Sequence, residues 1–361
     1  MLMLNFAILI GAVVVLAKVS EFVINRIIAV NRMLNINALA VGFIVLSVAT
    51  TLPEITLAVQ ASTYKAFDVS LGDVLGSPIV NIGVALGLAL ILCLKRNEVI
   101  KLPEMYAAES KAFVRYGVLM LLISALFILL CSAGQYVPLL RNFGGANGIT
   151  GALFGLALIL LFIRYVFMSA REWGKGNGKS PSAELKGRKS GGKPVRVGKS
   201  QTRHFESWAE LAKEIFIIIV CGFILFYSAK YILINALVIM NTVGITGGFI
   251  GGTLIAICTS LPEISVAYQA IRKRQVWLVV GDLLGSNIIN FTLVLGILLS
   301  FTEISYYIGT FIVLVIYNLI MFGLLYYMLR KKTLSLNDGI VLAFTFLVYL
   351  AMMGVAQYMG G

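Results

Sequence analysis

The chain has 361 residues, of which 60% are hydrophobic and only 12% charged, yet 29 Lys and Arg against 16 Asp and Glu leave it at +13. Soluble domains carry about 25% charged residues, so a soluble enzyme is excluded, because too little polar surface exists to cover the core. The basic excess resembles a polyanion-binding signal only until its location is examined.

Runs of about 20 apolar residues are what a helix needs to cross a bilayer. Ten such runs are present, at 2–25, 37–62, 68–93, 113–133, 148–169, 213–236, 244–270, 275–300, 305–329 and 338–358. The first lacks a small-residue cleavage pattern and is read as a retained helix rather than a signal peptide. Cys93, Cys131, Cys221 and Cys258 lie singly in apolar runs, and His204 is the one histidine, so a disulfide framework, a zinc site or a histidine relay has no basis here.

Ten spans place both termini on one side. Alternate loops then hold 26 of the 29 basic residues, including twelve between Arg164 and Lys213, while the other face holds only Lys65, Arg141 and Lys230. The positive-inside rule makes the basic loops cytoplasmic and both termini extracellular. The segment 171–207 is rich in Gly, Ser, Lys and Arg and reads as a flexible cytoplasmic linker. It divides the chain into five-span halves, 1–170 and 208–361.

The two halves repeat. Residues 41–87 align without gaps on 250–296, always 209 apart, with about 18 of 47 positions identical. Thr-Thr-Leu-Pro-Glu-Ile-Thr at 50–56 matches Thr-Ser-Leu-Pro-Glu-Ile-Ser at 259–265, and Gly-Asp-Val-Leu-Gly-Ser-Pro-Ile-Val-Asn at 72–81 matches Gly-Asp-Leu-Leu-Gly-Ser-Asn-Ile-Ile-Asn at 281–290. Five spans per half is an odd number, so the second copy enters the membrane from the opposite side. The predicted fold is therefore an all-α integral membrane protein, with ten transmembrane helices in two inverted repeats. Inverted repeats are a transporter architecture with the site at the midplane between the copies.

Four acids lie deep in these spans: Glu54, Asp73, Glu263 and Asp282. Burying a charge there costs at least about 2.5–3.5 kcal/mol, which marks such residues as functional candidates. Thr50, Thr51, Ser77 and Asn81, with their copies Thr259, Ser260, Ser286 and Asn290, offer neutral oxygens. Carboxylates with hydroxyl and carbonyl oxygens suit a hard cation such as Ca²⁺ or Na⁺. Pro53 and Pro262 each lack an N–H, which leaves the carbonyl four residues earlier without its usual donor. Such oxygens persist at membrane depth only where something satisfies them. Asp73, Ser77 and Asn81 share a helical stripe, repeated by Asp282, Ser286 and Asn290. Asp73 and Asp282 also lie near span starts, where an acid can cap a helix; capping and ion contact both stay open. Gly42, Gly72 and Gly76, with their copies, would allow close helix approach.

The paired Thr-Thr/Ser-Leu-Pro-Glu and Gly-Ser-x-x-x-Asn segments resemble the alpha repeats of the calcium/cation antiporter superfamily, and among its groups most resemble the prokaryotic sodium/calcium exchangers. The resemblance implies a core of spans 2, 3, 7 and 8 against which spans 1 and 6 move. It implies Glu54 and Glu263 as central carboxylates shared by Ca²⁺ and Na⁺. Thr50 and Thr259 would add carbonyls and hydroxyls. Thr51, Ser260, Ser77, Ser286 and the carbonyls of Ser47 and Ala256 would bind flanking Na⁺, and Asn81 and Asn290 would line the midplane. Three departures stand out: Asn290 where many such exchangers carry Asp, Asp73 and Asp282 where Asn is common, and Pro78 where Asn usually follows Gly-Ser.

The expected function is exchange of Ca²⁺ for Na⁺ by alternating access, with H⁺-coupled Ca²⁺ antiport as the alternative, in a multi-pass cell-membrane protein. Asp73 is expected to attract cations on the outer approach and Asp282 on the inner. No enzyme activity, cofactor, nucleic acid or partner chain is called for. The lipid bilayer is the medium, and a monomer is the working expectation.

Overall fold

A computed structural model of the chain describes residues 2–33, 46–96, 98–101, 104–133, 149–175, 208–272, 276–301, 304 and 306–358. The architecture is almost entirely helical. In chain order the helices are α1 (Leu2–Met33), α2 (Leu52–Tyr64, after helical residues 46–50) and α3 (Phe67–Cys93), then α4 (Glu104–Ala133) and α5 (Ile149–Lys175). The second half holds α6 (Trp208–Val243), α7 (Gly247–Thr259), α8 (Leu261–Arg272), α9 (Val276–Ile289, continuing through Asn290–Val294 and Leu295–Phe301), α10 (Ile308–Lys331) and α11 (Leu336–Tyr358).

Among the described residues seven helices are long and apolar enough to cross a membrane alone. An eighth span is broken: α7 and α8 meet at 46°. Val114–Leu130 within α4 is a shorter apolar helix, and the span expected at 37–62 starts outside the described residues. Burial ranks the spans. In α3 and α9, 83% of the apolar window is buried, against 11% in α5 and 17% in α1. The chain thus has a protein-enclosed centre and a lipid-facing periphery, as the resemblance implied for spans 3 and 8.

The centre is tight because it is built from glycines. A Cβ on Gly72 would sit 2.7 Å from the Gly248 carbonyl oxygen, and one on Gly76 would sit 2.6 Å from that of Gly252. The backbones of α3 and α7 therefore touch, as small-residue helix interfaces in membranes do. Gly42 lies outside the described residues. Gly155 and Gly296 make a similar contact between α5 and the last part of α9.

Outside the centre, α1 packs along α6. Arg26 and Glu214 join their ends through an ion pair at 3.0 Å. Val99–Lys101 (β1) pairs antiparallel with Thr333–Ser335 (β2), so the segment after α3 is tied to the turn before α11. Ser335 and Asp338 then form a reciprocal cap on α11: the Ser335 N–H donates to Asp338 at 2.8 Å and the Asp338 N–H to the Ser335 hydroxyl at 3.4 Å.

Candidate cation site

The two Leu-Pro-Glu segments break their helices in the same way. Thr51 has φ −81° and ψ 2°, and Ser260 has φ −80° and ψ 6°. Each break is bridged by matching bonds: Thr51 N–H to the Ser47 carbonyl at 3.0 Å, and Ser260 N–H to the Ala256 carbonyl at 3.1 Å. Pro53 and Pro262 lie two residues beyond the break, where they cannot supply an N–H to Ala49 or Cys258. Glu54 and Glu263 follow in the first helical turn and are fully buried. Closely similar local sequence thus gives closely similar local geometry, 209 residues apart.

The remaining predicted residues lie in the protein interior as well. Ser47, Thr50, Thr51, Ser77, Asn81, Ala256, Thr259, Ser260, Ser286 and Asn290 are all buried, as are Asp73 and Asp282. Bonds cross between the halves. Thr259 Oγ1 donates to Asp73 Oδ1 at 2.8 Å, and Thr50 Oγ1 to Asp282 Oδ1 at 3.2 Å. Ser77 Oγ reaches the same Asp73 oxygen at 3.3 Å, one turn along its own helix, as the stripe predicted. Ser47 Oγ donates to the Asp282 carbonyl. Thr51 Oγ1 is bound to the Ser47 carbonyl at 2.6 Å, so that carbonyl is partly engaged.

In this structure neither aspartate caps its helix, and both are closed off from solvent. Asp73 is 0% exposed and Asp282 1%. Asp68, not Asp73, occupies the first turn of α3, and Asp282 is the seventh residue of α9. Asp73 and Asp282 each face a threonine of the opposite half rather than solvent in this structure.

The two midplane asparagines differ. Asn81 Nδ2 donates to Ser286 Oγ at 3.2 Å and to Asn287 Oδ1 at 3.1 Å. Asn290 has no partner on either side-chain atom. Pro78 accounts for one of the two missing bonds, because it stands in the first repeat where Asn287 stands in the second and offers no side-chain oxygen; Ser77, the counterpart of Ser286, bonds Asp73 instead. Both asparagines open a π-helical turn, Asn81–Leu86 and Asn290–Val294. Such turns are frequent at functional sites. The proline does not cause them, since only one follows a proline.

Sequence reading missed several supports. Asn287 anchors Asn81. Tyr349, fully buried on α11, donates its hydroxyl to the Gly252 carbonyl in the π-helical part of α7, Gly251–Ile255. Asn318 on α10 donates to the Leu75 carbonyl at 2.7 Å, tying α10 to α3. Asn318 is the lone carboxamide in its apolar run, and that isolation was the available signal.

What the cluster offers chemically is unpaired negative oxygen. Both carboxylate oxygens of Glu54 and of Glu263, and one oxygen each of Asp73 and Asp282, are buried without a hydrogen-bond partner. Ser260 Oγ and Asn81 Oδ1 are likewise unpartnered. The ion pairs Lys18–Glu21, Arg26–Glu214 and Lys331–Asp338 do not reach these acids. No three His, Cys, Asp or Glu side chains among the described residues converge as a compact metal centre. The donor set is instead two glutamates among hydroxyl, amide and carbonyl oxygens, the ligand chemistry of a hard cation. Buried carboxylates left unpaired cost several kcal/mol each unless a cation or proton compensates them.

A buried core of broken and π-turned helices around unpaired carboxylates, sheathed by apolar spans, defines a multi-pass membrane transporter of cations. The comparisons agree. The family model described as sodium/calcium exchanger protein matches residues 4–171 and 213–355, and the chain belongs to that family. It is 28% identical to the sodium/calcium exchanger MaX1 of Methanosarcina acetivorans, over 98% of this chain and 99% of that protein. It is also 28% identical to the inner membrane protein YrbG of Escherichia coli, over 89% of this chain and 88% of that protein. The structure of the sodium-calcium exchanger NCX_Mj soaked with 10 mM Na⁺ and zero Ca²⁺ superimposes with a TM-score of 0.58 at 22% identity, over 97% of this chain and 99% of that one. The fold is shared, and the chain is a membrane cation exchanger rather than an enzyme.

Proposed function

We propose that this protein is a secondary antiporter that exchanges Ca²⁺ for Na⁺ by alternating access. Glu54 and Glu263 are the central ligands that both cations need, so occupation by one excludes the other and couples the fluxes. The observation that carries this reading is the pair of buried glutamates, four oxygens in all without a hydrogen-bond partner, set just past two matching helix breaks. Thr50 and Thr259 add oxygens beside them, and Thr51, Ser260, Ser77, Ser286 and the Ser47 and Ala256 carbonyls serve the flanking Na⁺. The transmembrane part has ten spans in two inverted five-span halves, 1–170 and 208–361. The basic linker 171–207 is cytoplasmic and both termini are extracellular. The ion pair of Arg26 with Glu214 supports movement of α1 and α6 as one unit against the centre.

The test is Ca²⁺ uptake into vesicles driven by a Na⁺ gradient, by a pH gradient, and by neither. Uptake with Na⁺ and not with pH supports the reading. Uptake driven by pH alone makes the protein an H⁺-coupled exchanger, and rapid uptake with neither gradient makes it a channel. Glu54→Gln and Glu263→Gln are expected to abolish uptake, and near-normal flux in either refutes the site.

A further inference from the structure

We propose that Asp73 and Asp282 are positioning residues that strengthen the cation site through Thr259 and Thr50, not by touching the ion. The inference rests on the reading of Glu54 and Glu263 as the central ligands and adds an outer layer to that site.

The argument begins with a hydroxyl's inventory. A threonine hydroxyl has one proton and two lone pairs. Thr259 Oγ1 has Asp73 Oδ1 at 2.8 Å, the Ile255 carbonyl at 3.1 Å, the Ala256 carbonyl at 3.3 Å and the Ser77 hydroxyl at 3.4 Å in reach. Thr50 Oγ1 has two acceptors, Asp282 Oδ1 and the Ser47 carbonyl, both at 3.2 Å. A charged acceptor forms a bond roughly twice as strong as a neutral one. The single proton of each threonine is thereby committed to the aspartate. The lone pairs stay free for a cation, and the hydroxyl cannot turn its proton toward one. A hydroxyl bonded to an anion is also polarised, so its oxygen carries more negative charge. Carboxylates behind metal-bound histidines act in the same way, fixing the ligand's orientation and raising its basicity.

The arrangement is reciprocal. Asp73 belongs to the first repeat and grips a threonine of the second, and Asp282 does the reverse. Both aspartates are shut off from solvent. Neither sits where an acid would serve its own helix terminus. Asp73 also takes the Ser77 hydroxyl at 3.3 Å, so one carboxylate oxygen orients two oxygens of the site. The bond of Asp73 to Thr259 is shorter than that of Asp282 to Thr50, which makes Asp73 the stronger of the two.

Two readouts in purified, detergent-solubilised full-length protein test this: the melting temperature without cations, and the Ca²⁺ concentration giving half of the Ca²⁺-induced stabilisation. Asp73→Asn keeps an acceptor oxygen but loses the charge. It is expected to raise the half-saturating Ca²⁺ concentration roughly tenfold or more, the usual scale for such outer partners, without lowering the cation-free melting temperature. Asp282→Asn does the same to a smaller degree. Thr259→Ser, which keeps the hydroxyl, raises the half-saturating concentration less than Thr259→Ala does. In a Thr259→Ala background the further change Asp73→Asn adds less than it does in the native chain, because only the route through Ser77 remains.

An unchanged half-saturation in both Asp73→Asn and Asp282→Asn overturns the proposal. So does a loss that adds in full on Thr259→Ala, which would mean Asp73 reaches the ion independently. A lowered cation-free melting temperature with normal half-saturation would make the aspartates scaffold only. Glu54→Gln separates the layers: if it keeps the Ca²⁺ response, the central reading itself is lost, whatever Asp73 does.

Discussion

Substituting Gly76 by Ala asks whether the contact of α3 with α7 sets the site. The added methyl would lie 2.6 Å from the Gly252 carbonyl oxygen, 2.8 Å from the Gly252 Cα and 2.9 Å from the Ala256 Cβ. Ordinary contact for a Cβ starts near 3.4 Å, so the helices must part by several tenths of an ångström. Two of the three obstacles are backbone, which cannot swing aside. Overpacking of this kind costs about 1–3 kcal/mol. It outweighs the gain of about 1 kcal/mol that Ala has over Gly within a helix. The displacement also strains the 2.8 Å bond between Thr259 and Asp73, so transport falls together with stability. Gly323→Ala is the control, since a Cβ there meets nothing within 4 Å. Thermal unfolding in detergent and Ca²⁺ uptake in vesicles give the comparison. Gly76→Ala is expected to melt lower and to carry less flux, and Gly323→Ala to match or exceed the native protein in both. Equal melting temperatures for the two variants would refute the reasoning.

Tyr349→Phe removes the donor to the Gly252 carbonyl and is expected to cost about 1–3 kcal/mol, because that buried acceptor loses its partner; denaturation curves show it. Asn290→Leu is expected to leave cation-free stability intact, since neither amide atom has a partner to lose, while uptake falls; a drop in melting temperature with normal uptake would show the amide to be structural. Asp338→Ala breaks the cap on α11 and the contact to Lys331. It is expected to cost about 1–2 kcal/mol without moving the half-saturating Ca²⁺ concentration, as read by the same Ca²⁺ titration.

Much of the site was legible because the chain writes it twice. A single Leu-Pro-Glu is a kink, whereas two at one offset define a paired break, and the dihedral angles of Thr51 and Ser260 agree within a few degrees. Glu54 and Glu263 stood out because a carboxylate inside an apolar run has no cheap explanation. The pairing of the aspartates was not legible because their partners are far away in sequence. Thr259 is 186 residues from Asp73, and Thr50 is 232 from Asp282. No periodicity within one helix can reveal such a pairing. The unequal asparagines show the same limit: Pro78 was noticed as a departure, but its effect falls on Asn290, in the other repeat.

By itself the sequence determined the medium, the helical class, the repeat and the oxygen-rich character of the ligands. These follow from local properties: apolar run length, proline's missing N–H and the cost of an intramembrane charge. The distribution of basic residues turned the +13 from a mark of a polyanion partner into an expected orientation. The tertiary structure decided which oxygens remain free and which are spent on one another. That depends on how closely α3 approaches α7, a distance fixed by glycines on both helices and by no property of either helix alone.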